Sequence, residues 1–140
     1  MNGVENVYSA KKLIAVVYRN YIKVDGVRFY TEATNAFQIG LHDRLKGVLL
    51  PPHIHKVLNT FKIESIQEVL YVIKGKVKIS FYSRNGKFIS IKVLEVGDSV
   101  LLMDGGHGLE FMDNSRIFEV KQGPYPGSQS AKIYIKEKSK

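Results

Sequence analysis

The sequence predicts an all-β fold, a sandwich or barrel built from short antiparallel strands. Three observations predict it. Segments alternating polar and apolar residues recur at spacings of about ten residues. Turn-forming dipeptides, with Asn85-Gly86 the strongest, separate those segments. No stretch shows long helical periodicity.

Taken in chain order, residues 13–18 read as a strand, although 9–18 also fits a short amphipathic helix. Residues 21–24, 27–30 and 37–41 read as further strands, with turns at Asp25-Gly26 and across 43–47. Val69 to Ile73 form an apolar strand that opens on Glu68. Residues 76–82 alternate as a half-buried strand should, and Asn85-Gly86 turns them into 88–94, which alternate again. Gly97-Asp98 leads into 99–103 and Gly105-Gly106 into 107–112. Asp113-Asn114-Ser115 then leads into 116–121.

Composition narrows what such a chain does. With 44% hydrophobic and 11% aromatic residues, wholesale disorder is excluded. The 140 residues are expected to form one domain, 1–140, whose basic end, 131–140, frays. The absence of cysteine excludes disulfides, thiolate zinc sites and cysteine nucleophiles. No apolar run reaches the roughly 20 residues a membrane span needs, and 13–18 is too short for a signal-peptide core. The expectation is a cytoplasmic, soluble protein. Net charge is +8, but the lysines are scattered and no nucleic-acid-binding motif accompanies them. A solvated basic surface without a nucleic-acid partner is therefore expected.

The histidines carry most of the chemistry. If the chain around His53 is a strand, the two-residue spacing to His55 points both imidazoles to one face. A carboxylate from Glu68 and a third imidazole, His107, would complete a divalent-metal site. An unpaired Glu68 at the head of an apolar strand would cost several kcal/mol, so it needs a cation or a hydrogen-bond donor. Neutral nitrogen and anionic oxygen together suit Mn, Fe, Ni, Co or Zn rather than Ca or Mg. Four protein ligands leave open positions only on a five- or six-coordinate ion, which favours Mn, Fe or Ni over tetrahedral Zn.

Glu119 and Lys121 share one strand face, opposite Phe118 and Val120. Two readings stay open. Either Phe118 and Val120 face the core and the charges face water, or the charges line the mouth of a site as substrate contacts or a proton relay. Gln38 is a further substrate-binding candidate. Tyr125, after Gly123-Pro124, is expected to pack as a lid over one end of the fold.

His53-x-His55, followed by Glu68 with six residues before Gly75, resembles the first motif of the cupins. Gly97-Asp98 leading to Gly105-Gly106-His107 resembles the second, and the resemblance spans about 47–122. It implies a small β-barrel of jelly-roll type in which His53, His55, Glu68 and His107 hold one metal. Two departures stand out. Twelve residues separate His55 from Glu68 where the motif has three or four, and Met103 replaces the usual proline, with His107 one residue early. Residues 67–77, Gly105 to Gly108 and Glu119 to Tyr125 resemble more narrowly the small cupins of surface-polysaccharide and sugar-biosynthesis gene sets. This implies a sugar or sugar-nucleotide as ligand. An open metal site would polarise a sugar carbonyl toward enolisation, an isomerase or epimerase reaction with Glu119 or Lys121 as base. Binding without turnover and Fe(II)-dependent dioxygenation are the alternatives. A homodimer is expected, with contact through 13–18.

Overall fold

The computed structural model describes residues 2–56, 63–124 and 126–136. Among the described residues the regular structure is almost entirely β, ten strands and one four-residue helix. Contacts gather them into two compact units, Met1–Tyr21 with Ser65–Lys140, and Ile22–Glu64.

In the larger unit, β1 (Val4–Ser9) and β2 (Lys12–Tyr18) form a hairpin around Ala10, whose φ is 53°. The smaller unit contains β3 (Gly26–Phe29) and β4 (Gly40–Asp43), which pair antiparallel. The larger unit resumes with β5 (Glu68–Lys74), β6 (Val77–Tyr82), β7 (Phe88–Leu94) and β8 (Ser99–Leu102). It continues through β9 (Gly106–Phe111) and β10 (Arg116–Lys121) to α1 (Ser128–Ala131).

These strands make a five-stranded sheet ordered β1-β2-β8-β5-β10 and a three-stranded sheet ordered β7-β6-β9. Alternation decides which face of each strand turns inward. Val77, Ile79 and Phe81 of β6 are buried, as are Leu70 and Val72 of β5 and Val100 and Leu102 of β8. Together with Val7, Ile14, Ala15, Val17 and Leu94 they form one core shared by the two sheets. At the β1 and β7 side, Arg19 bonds Glu5 at 2.6 Å and Asp98 at 2.8 Å, while Lys92 reaches Glu5 at 2.8 Å.

Several sequence expectations change. Residues 9–18 are a turn and a strand, not a helix; β2 lies between β1 and β8, so both its edges are paired, and Ile14 to Tyr18 are all buried, which is why alternation disappears. That interior position also removes 13–18 as an edge for dimer contact. Strand β1 was not singled out in the sequence; its few apolar residues are Val4, Val7 and Tyr8. Residues 21–24 are not a strand: the Val24 N–H donates to the Asp43 side chain at 3.0 Å instead of to a ladder. The strand expected at 37–41 sits at Gly40–Asp43, because 35–38 form a side-chain-stapled loop. Ile135 lies against Gly86, where an added side chain would meet its Cγ2 at 3.4 Å. Tyr125 and residues 137–140 fall outside the described residues.

Candidate functional site

Glu68 begins β5 directly opposite Leu102 of β8 and Lys121 of β10. Opposed residues in an antiparallel pair share a face, and Leu70 and Val72 continue the row into the core. The carboxyl group therefore points inward, with Glu68 only 7% exposed. A charge in that position needs partners, and two side chains supply them.

His107 comes from the other sheet. It lies opposite the buried Phe81 on the inward row of β9, and its Nε2 approaches Glu68 Oε1 at 2.6 Å. Lys121 Nζ stands 3.3 Å from Glu68 Oε2 and 2.6 Å from Glu119 Oε1. Burial alone would raise the Glu68 pKa. The His107 hydrogen bond and charge and the Lys121 charge outweigh it, holding the group at about 2. The Glu119 hydrogen bond, with Glu68 further off, raises the Lys121 pKa despite some desolvation. The cluster therefore holds Glu68 as a carboxylate between the His107 imidazole and the Lys121 ammonium.

Strand β10 resolves the two readings of Glu119 and Lys121. Ile117 packs on the core, and Glu119 and Lys121 continue its row. Phe118 and Val120 occupy the opposite face and are 58% and 46% exposed. The charges take the inward row beside Glu68, and the apolar side chains face outward.

His53 and His55 belong to the smaller unit. The segment 51–56 joins no ladder, so the expected strand is not formed. Pro51-Pro52 explains this, since neither residue has an N–H to donate. The imidazoles are still neighbours, with ring centroids 5.0 Å apart and planes at 75°. His53 Nδ1 lies 2.9 Å from the Pro51 carbonyl; when it donates there, the Nε2 lone pair is free for another partner. The four expected metal ligands thus occur as two pairs, His53 with His55 and Glu68 with His107. Among the described residues no group of three or more such side chains is gathered. Gln38 has a structural role: its amide donates to the carbonyls of Glu32 at 3.0 Å and Asn35 at 2.9 Å and accepts from Thr31. This closes the loop between β3 and β4.

The donor chemistry of the Glu68–His107 pair fits a divalent transition metal. An imidazole nitrogen and a carboxylate oxygen stand side by side in a desolvated position, where an ion can replace the proton between them. A second cluster was missed in the sequence because its members come from four separate segments. Asp104 accepts from Lys12, from Arg84 at 2.9 Å and from Ser65 at 3.0 Å, an arrangement that ties three chain turns together.

No protein family, curated protein or solved structure matches this chain. The likeness to cupins rests on the motif residues alone.

Proposed function

We propose that this chain is a metal-binding protein acting on a small polar metabolite, a sugar or sugar-nucleotide, by proton transfer next to a carbonyl. His107 and Glu68 are the metal ligands that carry this reading. The observation that carries it is Glu68, a buried carboxylate met from the opposing sheet by an imidazole. Folding a charge into an apolar row is costly, and a structural role alone would be filled better by another apolar side chain.

A bound divalent ion would supply a Lewis acid that polarises the substrate carbonyl. The remaining work falls to the chain's own groups. Lys121 is held as an ammonium by Glu119 and Glu68, so it offers fixed positive charge and hydrogen bonds, not a free amine base. Glu119, 40% exposed at its side chain, is the group in the cluster that solvent and substrate can reach as a carboxylate. It takes the role of base, removing the proton from the carbon beside the carbonyl, while the Lys121 ammonium would hydrogen-bond the oxyanion that forms.

The test is to load the purified protein with Mn, Fe, Co, Ni or Zn and measure stoichiometry, then to follow hydrogen exchange of keto-sugars and nucleotide-sugars in deuterated water. One ion per chain, lost in Glu68→Gln and His107→Ala, is expected, with exchange abolished in Glu119→Gln. Binding of the sugar without exchange would make the protein a ligand sensor. Oxygen uptake with iron would make it a dioxygenase. Unchanged metal stoichiometry in the double variant His53→Ala/His55→Ala would show that the imidazole pair of the smaller unit holds no ion.

A further inference from the structure

Strand β10 ends the five-stranded sheet, and among the described residues nothing pairs with its far side. Local hydrogen bonds show which of its groups face that open side. The Gln122 N–H donates to the Gln67 carbonyl at 3.1 Å, which sets the phase of the ladder between β10 and β5. Val72, opposite Ile117, bonds away from β10: its N–H donates to the Asp98 carbonyl at 3.0 Å and its carbonyl accepts from Gly97 at 2.9 Å. Ile117, Glu119 and Lys121 therefore direct their own N–H and C=O groups to the open edge, whereas Phe118 and Val120 bond to β5.

An edge of unpaired backbone groups flanked by exposed apolar side chains is a template for another strand. Val120 and Phe118 project from it on the outer face, next to Tyr71 and Ile73 of β5, which are 44% and 43% exposed. The charge pattern selects the occupant. A second copy of β10 related by a two-fold axis runs antiparallel and keeps outer face beside outer face. An axis at Glu119 would oppose two carboxylates, and an axis at Lys121 two ammonium groups. An axis at Phe118 would oppose Glu119 to Ile117. An axis at Val120 opposes Glu119 to Lys121 in both directions, and Val120 to its own copy at the closer, non-hydrogen-bonded spacing.

We propose that two copies of this chain join through β10, antiparallel about a two-fold axis at Val120, so that Glu119 of each copy lies opposite Lys121 of the other. The pairing continues the five-stranded sheet across the dimer and sets the second copy's Glu119 and Lys121 beside the Glu68 cluster of the first. It names the surface for the expected homodimer, and it stands or falls independently of any metal, because its test reads assembly and not activity.

Analytical ultracentrifugation of the metal-free protein should show dimers dissociating on dilution through the micromolar range. Glu119→Lys and Lys121→Glu should each weaken association about tenfold or more, because symmetry repeats every like-charged contact twice. Mixing those two single variants should restore a mixed dimer, and the double exchange Glu119→Lys/Lys121→Glu should restore the homodimer. Amides of Ile117, Glu119 and Lys121 should become protected from hydrogen exchange as concentration rises. Circular dichroism identifies a variant that fails to fold, and the mixed and exchanged forms then carry the test. A monomer at all concentrations would overturn the proposal. So would a dimer indifferent to the charge exchanges, or edge amides protected independently of concentration, which would mean that another part of the same chain covers β10.

Discussion

Glu68 shows how one residue's position converts a motif letter into chemistry. As the first residue of β5 it falls on the inward row, where burial by itself raises its pKa. His107 at 2.6 Å and Lys121 at 3.3 Å reverse that outcome. Lys121 has a further consequence for metal binding, because an ammonium so close to Glu68 repels an incoming dication. Lys121→Gln is expected to tighten cobalt binding about tenfold, the effect of removing one unit charge from a partly screened site. A cobalt titration that shows equal or weaker binding in the variant would count against Glu68 as a ligand. Glu68→Gln should act in the opposite sense, since it removes the anionic oxygen while leaving the shape of the side chain.

At the scale of elements, the turns decide whether the strands arrive in register. Between β5 and β6, Gly75 has a φ of 84°, and a side chain there would come within 2.8 Å of the Asn114 carbonyl. Both the positive φ and the close approach require glycine. Gly75→Ala is expected to destabilise the protein by about 2 kcal/mol or more, read as a lower midpoint in urea denaturation. An unchanged midpoint would show that this turn relaxes without cost. Position in the sheet also marks β2, whose two edges are paired and whose Ile14 to Tyr18 are all buried. It explains the inverse case of β10, an edge strand whose outward Phe118 and Val120 stay exposed.

For the whole molecule, +8 of net charge must coexist with buried acids. Glu5 is one of the groups that reconcile them. Hydrogen bonding to Arg19, with help from Lys92 and against partial burial, lowers its pKa from 4.5 to about 2. A carboxylate depressed in the folded state adds stability above its unfolded pKa and loses that contribution as pH falls toward the folded value. Stability should therefore decline between pH 4.5 and about 2, over the range set by this shift. Glu5→Gln should flatten part of that decline and lower the stability at neutral pH. Thermal melts of both proteins across that range measure it, and identical pH profiles would remove Glu5 as a contributor. Among the described residues no helix is long and apolar enough to cross a membrane.

The sequence by itself determined the β character and most of the strands after Gly75, because alternation and turn residues are local properties that neighbouring positions express directly. Val77 to Tyr82, the Asn85-Gly86 turn and the strand after it were legible for that reason. It also singled out Glu68 and His107, whose juxtaposition the fold produces. Tertiary structure decided what no local pattern records. It placed Glu119 and Lys121 on the inward row and left Gln38 stapling a loop. It also assembled Lys12, Ser65, Arg84 and Asp104 from distant segments. Which face of a strand is inside depends on the sheet packed against it, and that partner lies far away along the chain.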